Sequence, residues 1–326
     1  MTIAGDADKD YKRENIVSEQ LVGEGFNEIL NNSLTKTSYY EKNELNKYTW
    51  DKTVKVMNPL SADLGVMRQT LLFGGLESIV RNINRKAKNL KFFEVGNCYW
   101  FNAEKHTPES PIKAYAQDYH MALWVTGKRV EGSWAHPDED SSFYELKAYV
   151  DNIFRRVGIT REMLVEEPSD NNIFDKALTI ENHGGKTIAE LGIVNHKILK
   201  DFDIDQHVFY ADIDWQALMK MSHKIKLEFK ELSKYPAVSR DLALLIDDNV
   251  KFADIEKIAR QTEKKLLKRV ELFDVYTGKN LPVGKKSYAV NFILQDENKT
   301  LNDKAIDAIM KKLIHQLTTK LGAELR

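Results

Sequence analysis

Ser233-Lys234-Tyr235-Pro236 begins the stretch that decides the fold, and Ala323-Glu324-Leu325-Arg326 ends it. Between these ends stand, in order, Arg240-Asp241-Leu242-Ala243-Leu244, Phe273-Asp274-Val275-Tyr276, Lys286-Ser287 and Thr300-Leu301. Alternation of apolar and polar residues predicts strands over residues 241–246, 270–276, 287–295 and 323–326. Apolar spacing of three and four residues predicts helices over residues 252–264 and 302–321. The resulting order, βαββαβ, is that of a ferredoxin-like domain.

The period-two alternation also predicts which side chains share a face of this sheet. One face must cover the two helices, and it takes Leu242, Leu244, Ile246, Tyr288, Val290, Phe292 and Leu294. On the middle strand we expect Phe273 and Val275 to pack inward as well. Asp274, Tyr276 and Ser287 are then expected to lie together on the exposed face.

An exposed sheet with an aromatic ring, a hydroxyl and a carboxylate can stack on and hydrogen-bond an unpaired base. The candidate phosphate contacts nearby are Arg240, Lys285 and Lys286. Taken alone, the residues favour a simpler interpretation, in which Tyr276 covers an edge of the sheet and Asp274 caps the following turn.

The preceding residues predict a second domain, of α+β class. A helix with Ile16, Val17 and Leu21 on one face ends at Gly23 and Gly25, and a strand is predicted over residues 26–34. Further helices are expected from Leu72 and from Ser142, where Glu145 completes a capping-box pattern. Strands are predicted at residues 91–101, 120–126, 177–182 and 187–195, mostly antiparallel. We place the domains at residues 1–227 and 232–326.

Composition excludes several classes of protein. Hydrophobic residues make up 42% and charged residues 30% of the 326 residues, which is typical of a globular protein. The single cysteine, Cys98, excludes an intrachain disulfide, and the scattered histidines do not suggest a metal site. The absence of a long apolar run and the polar first ten residues predict a cytoplasmic protein with no membrane contact. Residues 227–326 hold 19 Lys and Arg against 15 Asp and Glu, too small an excess to indicate a polyanion by itself.

The ordered motifs of residues 233–326 resemble the ferredoxin-fold anticodon-binding domain that ends the β subunit of bacterial phenylalanyl-tRNA synthetases. In that family the domain holds the anticodon loop of phenylalanine tRNA. The Asp and Tyr of its Phe-Asp-x-Tyr motif and a following Ser contact anticodon bases. The resemblance therefore implies anticodon contacts for Asp274, Tyr276 and Ser287, which match in residue type. It reverses the preference for the simpler interpretation.

The first domain is similar to the catalytic-like module of the same subunit, which has the antiparallel sheet of class II aminoacyl-tRNA synthetases without their activity. The similarity is carried by Asn58-Pro59-Leu60-Ser61, Met67-Arg68, Leu71-Leu72, Gly75-Leu76-Glu77, Asn82, Asn84-Arg85 and Phe93-Glu94-Val95-Gly96. A working class II site needs an arginine on motif 2 to hold the ATP α-phosphate, and Trp100 stands where it would follow. No Gly-x-Gly followed by arginine occurs between Gly185 and Asp214 either. We expect no amino-acid activation by this module and no catalytic residue in it.

Three arginines of the same module have two possible interpretations. Arg68, Arg81 and Arg85 could form a group that faces RNA or another subunit. Their default interpretation is solvated helix surface.

The resemblance further implies a non-catalytic, C-terminal part of phenylalanine–tRNA ligase, in a hetero-oligomer of α2β2 type. Its partners would be the catalytic α subunit, which residues 11–34 would contact as a class II motif 1, and phenylalanine tRNA. No cofactor is expected in this part, whereas ATP and Mg²⁺ are implied for the whole complex. The alternative is a metabolic enzyme with a ferredoxin-like regulatory domain that binds an amino acid, because such domains share the βαββαβ order.

Overall fold

A twisted antiparallel sheet organises the first of two units into which the chain divides, Met1–Leu227 and Glu228–Arg326. The computed structural model describes residues 6–41, 44–225, 229, 231–278 and 281–326. The helices of the first unit are α1 (Asp6–Gly23), α2 (Ser38–Glu41), α3 (Leu72–Ile83), α4 (Phe143–Arg156), α5 (His196–Asp201) and α6 (Trp215–Ser222). Its strands are β1 (Asn27–Glu28), β2 (Leu34–Thr35), β3 (Val66–Met67), β4 (Leu90–Phe101), β5 (Tyr115–Thr126), β6 (Lys128–Val130), β7 (Glu139–Asp140), β8 (Leu164–Pro168), β9 (Phe174–Asn182), β10 (Thr187–Val194) and β11 (Val208–Asp214).

Within the described residues the main sheet has seven strands in the order β1-β4-β5-β11-β10-β9-β8. Adjacent strands of this sheet run antiparallel, except that the edge strand β1 lies parallel to β4. Helices α1, α4 and α6 supply residues to the core on one face. Helices α3 and α5 and part of residues 45–73 supply residues to the core on the other. Alternation along β5 illustrates the two faces, since Leu123 and Val125 join the first core whereas Ala122 and Trp124 join the second.

The predicted helices at Leu72 and Ser142 are confirmed, and Ser142 Oγ accepts a hydrogen bond from the Glu145 backbone N–H at 3.2 Å.

The continuous strand predicted over residues 26–34 is wrong, because only the two-residue strands β1 and β2 form there. Side chains take over the backbone hydrogen bonding between them. The Asn31 N–H donates to Glu94 at 3.2 Å, and the Leu34 N–H donates to the Asn32 side chain at 2.9 Å.

The second unit has the predicted βαββαβ order. Its elements are β12 (Val238–Asp247), α7 (Phe252–Thr262), β13 (Leu267–Tyr276), β14 (Lys285–Leu294), α8 (Asp303–Leu321) and β15 (Glu324–Leu325). The described strands form one sheet in the order β13-β14-β12-β15. Residues of both helices pack on Leu244, Ile246, Val290, Phe292 and Leu294. The α+β architecture predicted for both units is confirmed.

One local prediction for β13 is wrong. Phe273 and Val275 were expected to pack inward, but they are 60% and 50% exposed. An irregularity in the pairing between Leu272 and Asp274 makes Phe273 an extra residue of β13, which breaks the period-two alternation at that position. Val275 pairs with Tyr288 and so takes the helix side as expected, but it remains outside the buried core. Beyond this bulge the strand contributes no residue to the buried core, which takes only Leu267 and Val270 from β13.

Candidate nucleic-acid interface

The register of the second sheet decides which side chains share its uncovered face, because directly paired residues point to the same side. Tyr276 pairs with Ser287, which pairs with Leu245. Asp274 pairs with Ala289, which lies two residues after Ser287 on β14 and therefore on the same side of the sheet. The buried Val290 and Phe292 alternate with these positions and face the helices. Asp274, Tyr276 and Ser287 therefore point away from α7 and α8, on one side of the sheet.

The three side chains differ in how far they reach solvent. Asp274 is exposed, and Tyr276 is 37% exposed. Ser287 is only 7% exposed, which corrects the expectation that it lies on an open surface. Its short side chain sits on the central strand β14 between the larger Tyr276 and Leu245, so its hydroxyl lies at the base of this face.

Arg326 also belongs to this face, and it was missed as a site residue from the sequence. Its backbone N–H donates to the Ala243 carbonyl at 3.0 Å, and its guanidinium carbon lies 5.6 Å from the centroid of the Tyr276 ring. A cation over an exposed aromatic ring contributes about 0.5–1 kcal/mol. The signal available in the sequence was the alternation of the short final strand, which places Arg326 on the same side as Glu324.

Small residues lie between the acidic and the basic group of this face. Asp274 pairs with Ala289, and Ala289 pairs with Ala243, which receives the Arg326 backbone hydrogen bond. The two alanines carry only methyl groups, so no large side chain stands between Asp274 and Arg326 along this row. We refer to Asp274, Tyr276, Ser287, Ala289, Ala243 and Arg326 as the open-face site. It offers a stacking ring, a hydrogen-bond acceptor and a cationic donor to a flat ligand.

The predicted phosphate contacts do not all reach the open-face site. Arg240 pairs with the buried Phe292, so it lies on the helix side, where it approaches Asp303 at 3.6 Å. It also lies about 16 Å along β12 from Leu245. Lys286 is likewise on the helix side, and its Nζ donates to the Asp248 carbonyl at 2.7 Å.

The remaining predicted phosphate contact, Lys285, does point to the open side. Its Nζ lies 3.2 Å from Asp247 and 3.7 Å from Glu324, so two carboxylates already neutralise it. Of the three predicted phosphate contacts, only Lys285 lies on the same side of the sheet as the open-face site, because the pleat turns Arg240 and Lys286 to the other side.

In the first unit, aromatic rings fill the sheet face that carries Trp100. Trp100, the residue in place of the expected arginine, stacks on Tyr48 with ring centroids 5.8 Å apart and planes 21° apart. Tyr48 is only 1% exposed, and Trp124 and Tyr210 on neighbouring strands of this face are fully buried. Position 100 therefore carries an indole instead of a guanidinium, and other aromatic rings of this face pack around it.

Three buried carboxylates on the same face each have a partner from the protein itself. Arg68 lies 2.6 Å from Glu94, His120 lies 2.6 Å from Asp212, and Lys47 forms an ion pair with Glu190. Arg68 is 5% exposed, so the expectation that it lies on solvated surface or faces a partner is wrong. Among the described residues, no three His, Cys, Asp or Glu side chains are grouped as a metal ion would need.

Models of two protein families match the chain. The model described as the phenylalanyl tRNA synthetase beta chain CLM domain matches residues 1–215. The chain belongs to the phenylalanyl-tRNA synthetase β-chain family. The model described as the ferredoxin-fold anticodon binding domain matches residues 233–326. These matches do not support the alternative of an amino-acid-binding regulatory domain.

Curated relatives agree with this β-chain assignment. The chain is 60% identical to the phenylalanine–tRNA ligase beta subunit of Bacteroides thetaiotaomicron over 100% of its own length and 40% of the relative's. It is 52% identical to that of Porphyromonas gingivalis, over 98% of the chain and 39% of the relative. The chain thus spans about 40% of the length of the curated relatives it matches.

The solved pyrrolysyl-tRNA synthetase of Desulfitobacterium hafniense is similar at 14% identity and a TM-score of 0.48, over 66% of this chain and 69% of that one. That likeness is too weak to add to the assignment. No helix within the described ranges is long and apolar enough to cross a bilayer.

The His120–Asp212 pair of this β-chain unit predicts a dependence of stability on pH. Burial lowers the pKa of His120, but the facing Asp212 carboxylate outweighs it and the net pKa is raised. Burial raises the pKa of Asp212, but the His120 charge outweighs it and the net pKa is lowered. Asp118 and Asp214 also face His120, and Tyr48 donates to Asp212 at 3.4 Å.

A raised histidine pKa stabilises the fold below about pH 6.5 and loses its effect as the pH rises through the folded-state pKa. A lowered aspartate pKa stabilises the fold above about pH 4 and loses its effect as the pH falls. We therefore expect the pair to contribute most between about pH 4 and 6.5. Urea unfolding should show that His120→Gln lowers the free energy of unfolding relative to wild type, by an amount that shrinks as the pH rises above that window. His183→Gln, on an exposed turn, should lower the free energy of unfolding by less at every pH. A free-energy difference between wild type and His120→Gln that does not change with pH would contradict a stabilising His120–Asp212 pair.

Proposed function

We propose that this chain docks the anticodon region of phenylalanine tRNA and supports the catalytic α subunit of a phenylalanine–tRNA ligase. The observation that carries the proposal is the open-face site, in which Tyr276, Asp274 and Arg326 lie on one side of the sheet with the small Ala289 and Ala243 in the rows between them. The match of residues 233–326 to an anticodon-binding domain supports it.

The chemistry of the open-face site fits an unpaired base. A base that stacks on Tyr276 would take the place of the Arg326 guanidinium or insert beside it, and Arg326 would then be free for a phosphate or a base oxygen. The exposed Asp274 carboxylate can accept hydrogen bonds from a base N–H, and the Ser287 hydroxyl lies at the base of the same row. Anticodon bases are suitable because their Watson–Crick edges are unpaired in the free loop.

We further propose that the chain itself does not activate phenylalanine. An arginine at position 100 would neutralise phosphate charge, whereas the indole of Trp100 supplies none and its ring packs on Tyr48. Catalysis with ATP and Mg²⁺ would then belong to the α subunit, in an α2β2 complex in the cytoplasm.

The apolar surface of α1 supports contact with that subunit. Tyr11, Ile16 and Val22 are 64%, 41% and 58% exposed, although Val17 and Leu21 of the same helix are buried in the core. Exposed apolar side chains among the polar ones on the outer side of a helix are suited to a protein interface.

A single substitution tests the anticodon half of the proposal. We expect Tyr276→Ala to weaken binding of the phenylalanine anticodon stem-loop by about 1–3 kcal/mol, the usual contribution of one stacked base. Binding should be measured by fluorescence anisotropy at one fixed salt concentration, because phosphate contacts depend on salt.

The controls separate stacking from other effects. Tyr276→Phe keeps the ring and should retain most of the affinity, and Tyr144→Ala removes a tyrosine that is 80% exposed on the other unit and should change nothing. An unchanged dissociation constant for Tyr276→Ala would rule out the open-face site as the docking surface.

A further inference from the structure

Two arginines of the first unit have guanidinium groups that form no ion pair with another described residue. Arg81 is in the last turn of α3, and Arg85 follows one turn later, just beyond its end. Both are exposed, and within the described part of the chain neither makes an ion pair or a side-chain hydrogen bond. By contrast, the buried Arg68 nearby is paired with Glu94. Two neighbouring cations without a carboxylate are a feature that a ligand would use.

Both arginines line an open groove of about 510 Å³ together with the residues that follow β1. Its apolar part includes Ile29, Leu30 and Phe92, and Leu30 is 89% exposed. The rest of the lining is amide, hydroxyl or guanidinium, and no carboxylate contributes to it. The groove thus presents an unsatisfied positive charge directly beside an exposed leucine side chain.

A buried network holds this groove in a fixed shape. The Asn31 side chain donates to Glu94 at 2.6 Å and accepts from the Ser78 hydroxyl of α3 at 3.1 Å. Gly74 of α3 permits this approach, because a Cβ there would lie 2.9 Å from the Asn31 Cβ. The segment after β1 is therefore attached to the same helix that carries Arg81. Preorganisation of this kind reduces the entropic cost of binding.

We propose that this groove binds a segment of the α subunit that presents one or two carboxylates beside an apolar side chain. The proposal rests on the proposed function, because it names the chemistry of the partner at the surface after α1. Guanidinium groups form paired hydrogen bonds with carboxylates, and Leu30 requires an apolar neighbour to be covered. The two guanidinium groups call for carboxylates and Leu30 calls for an apolar side chain, and a protein segment can supply both.

An RNA backbone is the competing occupant, and the groove favours it less. Phosphates would satisfy Arg81 and Arg85, but they would leave Leu30 in water. The carboxylates of Glu77, Asp201 and Asp203, which line the next groove along α3 with Arg81, would also repel a continuous polyanion.

Charge reversal tests the groove. We expect the double variant Arg81→Glu/Arg85→Glu to bind purified α subunit at least tenfold more weakly than wild type, and Leu30→Ser to weaken binding by a smaller factor. The matched control is Arg155→Glu/Arg156→Glu, which reverses two exposed charges in the last turn of α4. The milder pair Arg81→Gln/Arg85→Gln guards against misfolding, and circular dichroism should show native melting for every variant used.

Each outcome decides the proposal. Equal α-subunit binding by wild type and charge-reversed chain would overturn the groove while leaving subunit association in place. Unchanged α-subunit binding with weakened tRNA binding would assign the arginines to RNA and overturn it too. Failure of the wild-type chain to bind α subunit would overturn both the groove and the support role. The anticodon test on Tyr276 is independent of all three.

Discussion

Arg68→Ala should lower the free energy of unfolding of the first unit by about 3–5 kcal/mol, the usual effect of breaking a buried ion pair. Glu94 is fully buried, and its carboxylate would lose the guanidinium that lies 2.6 Å away. The Asn97 carbonyl, which accepts from Arg68 Nε at 3.0 Å, would lose its partner as well. The uncompensated charge, more than the lost contact, is the cause of the large effect.

Tryptophan fluorescence measures this unit selectively, because all five tryptophans lie between Trp50 and Trp215. A urea titration of Arg68→Ala against Arg129→Ala gives the comparison. Arg129 makes an exposed ion pair with Glu139 at 2.8 Å, and its loss should cost at most about 1 kcal/mol. Joint replacement, Arg68→Met with Glu94→Leu, should recover part of the loss. Similar losses for Arg68→Ala and Arg129→Ala would contradict a charged buried pair.

Trp124→Ala should destabilise the same unit by about 3–5 kcal/mol, as removal of a large buried aromatic ring does. Trp124 is 0% exposed, and its ring packs against Tyr210 and against the backbone of α3 at Gly75. A Cβ added at Gly75 would lie 2.1 Å from the indole, so position 75 has room only for glycine while Trp124 is present.

The matched control makes the same chemical change at Trp134, which is 99% exposed and should give a change within about 0.5 kcal/mol. A double-mutant cycle adds a sharper test. Gly75→Ala should be strongly destabilising in wild type and nearly neutral in the Trp124→Ala background, because the ring that it strikes is gone. Additive effects of the two substitutions would show that helix α3 does not approach the indole this closely.

Much of the second unit could be predicted from sequence, because a sheet with helices on one side leaves a clear alternation. Leu244, Ile246, Val290 and Phe292 fall into the core as this alternation predicts. The prediction failed at Phe273, which is the extra residue of a bulge, and Val275 takes the expected side of the strand but is 50% exposed. Alternation gives the side of a strand on which a residue lies, but it gives neither the position of a bulge nor the depth of a side chain.

The candidate site shows the same limit. Asp274, Tyr276 and Ser287 were assigned to one side and share it by register, but Ser287 is buried between its neighbours. Arg240 and Lys286 were chosen for proximity in sequence, and the pleat turns them to the helix side. Arg326 joins Tyr276 only through pairing of the final strand with β12, a contact between distant parts of the chain.

The first unit was harder to predict because its main polar features are long-range. The pairs Arg68–Glu94 and His120–Asp212 join residues 26 and 92 positions apart. A single sequence offers no signal for such pairs, and an arginine is on average more often exposed than buried. The burial of Arg68 therefore could not have been distinguished from a surface position.

The stacked rings of Trp100 and Tyr48 leave no room for a nucleotide on this face of the first unit. A purine could enter that face only by displacing both rings, and Tyr48 is 1% exposed. Trp100→Arg alone would place a guanidinium among packed aromatics instead of beside a triphosphate. Creating an ATP site here would require rebuilding a whole layer of the interior, so no one-codon change should produce turnover.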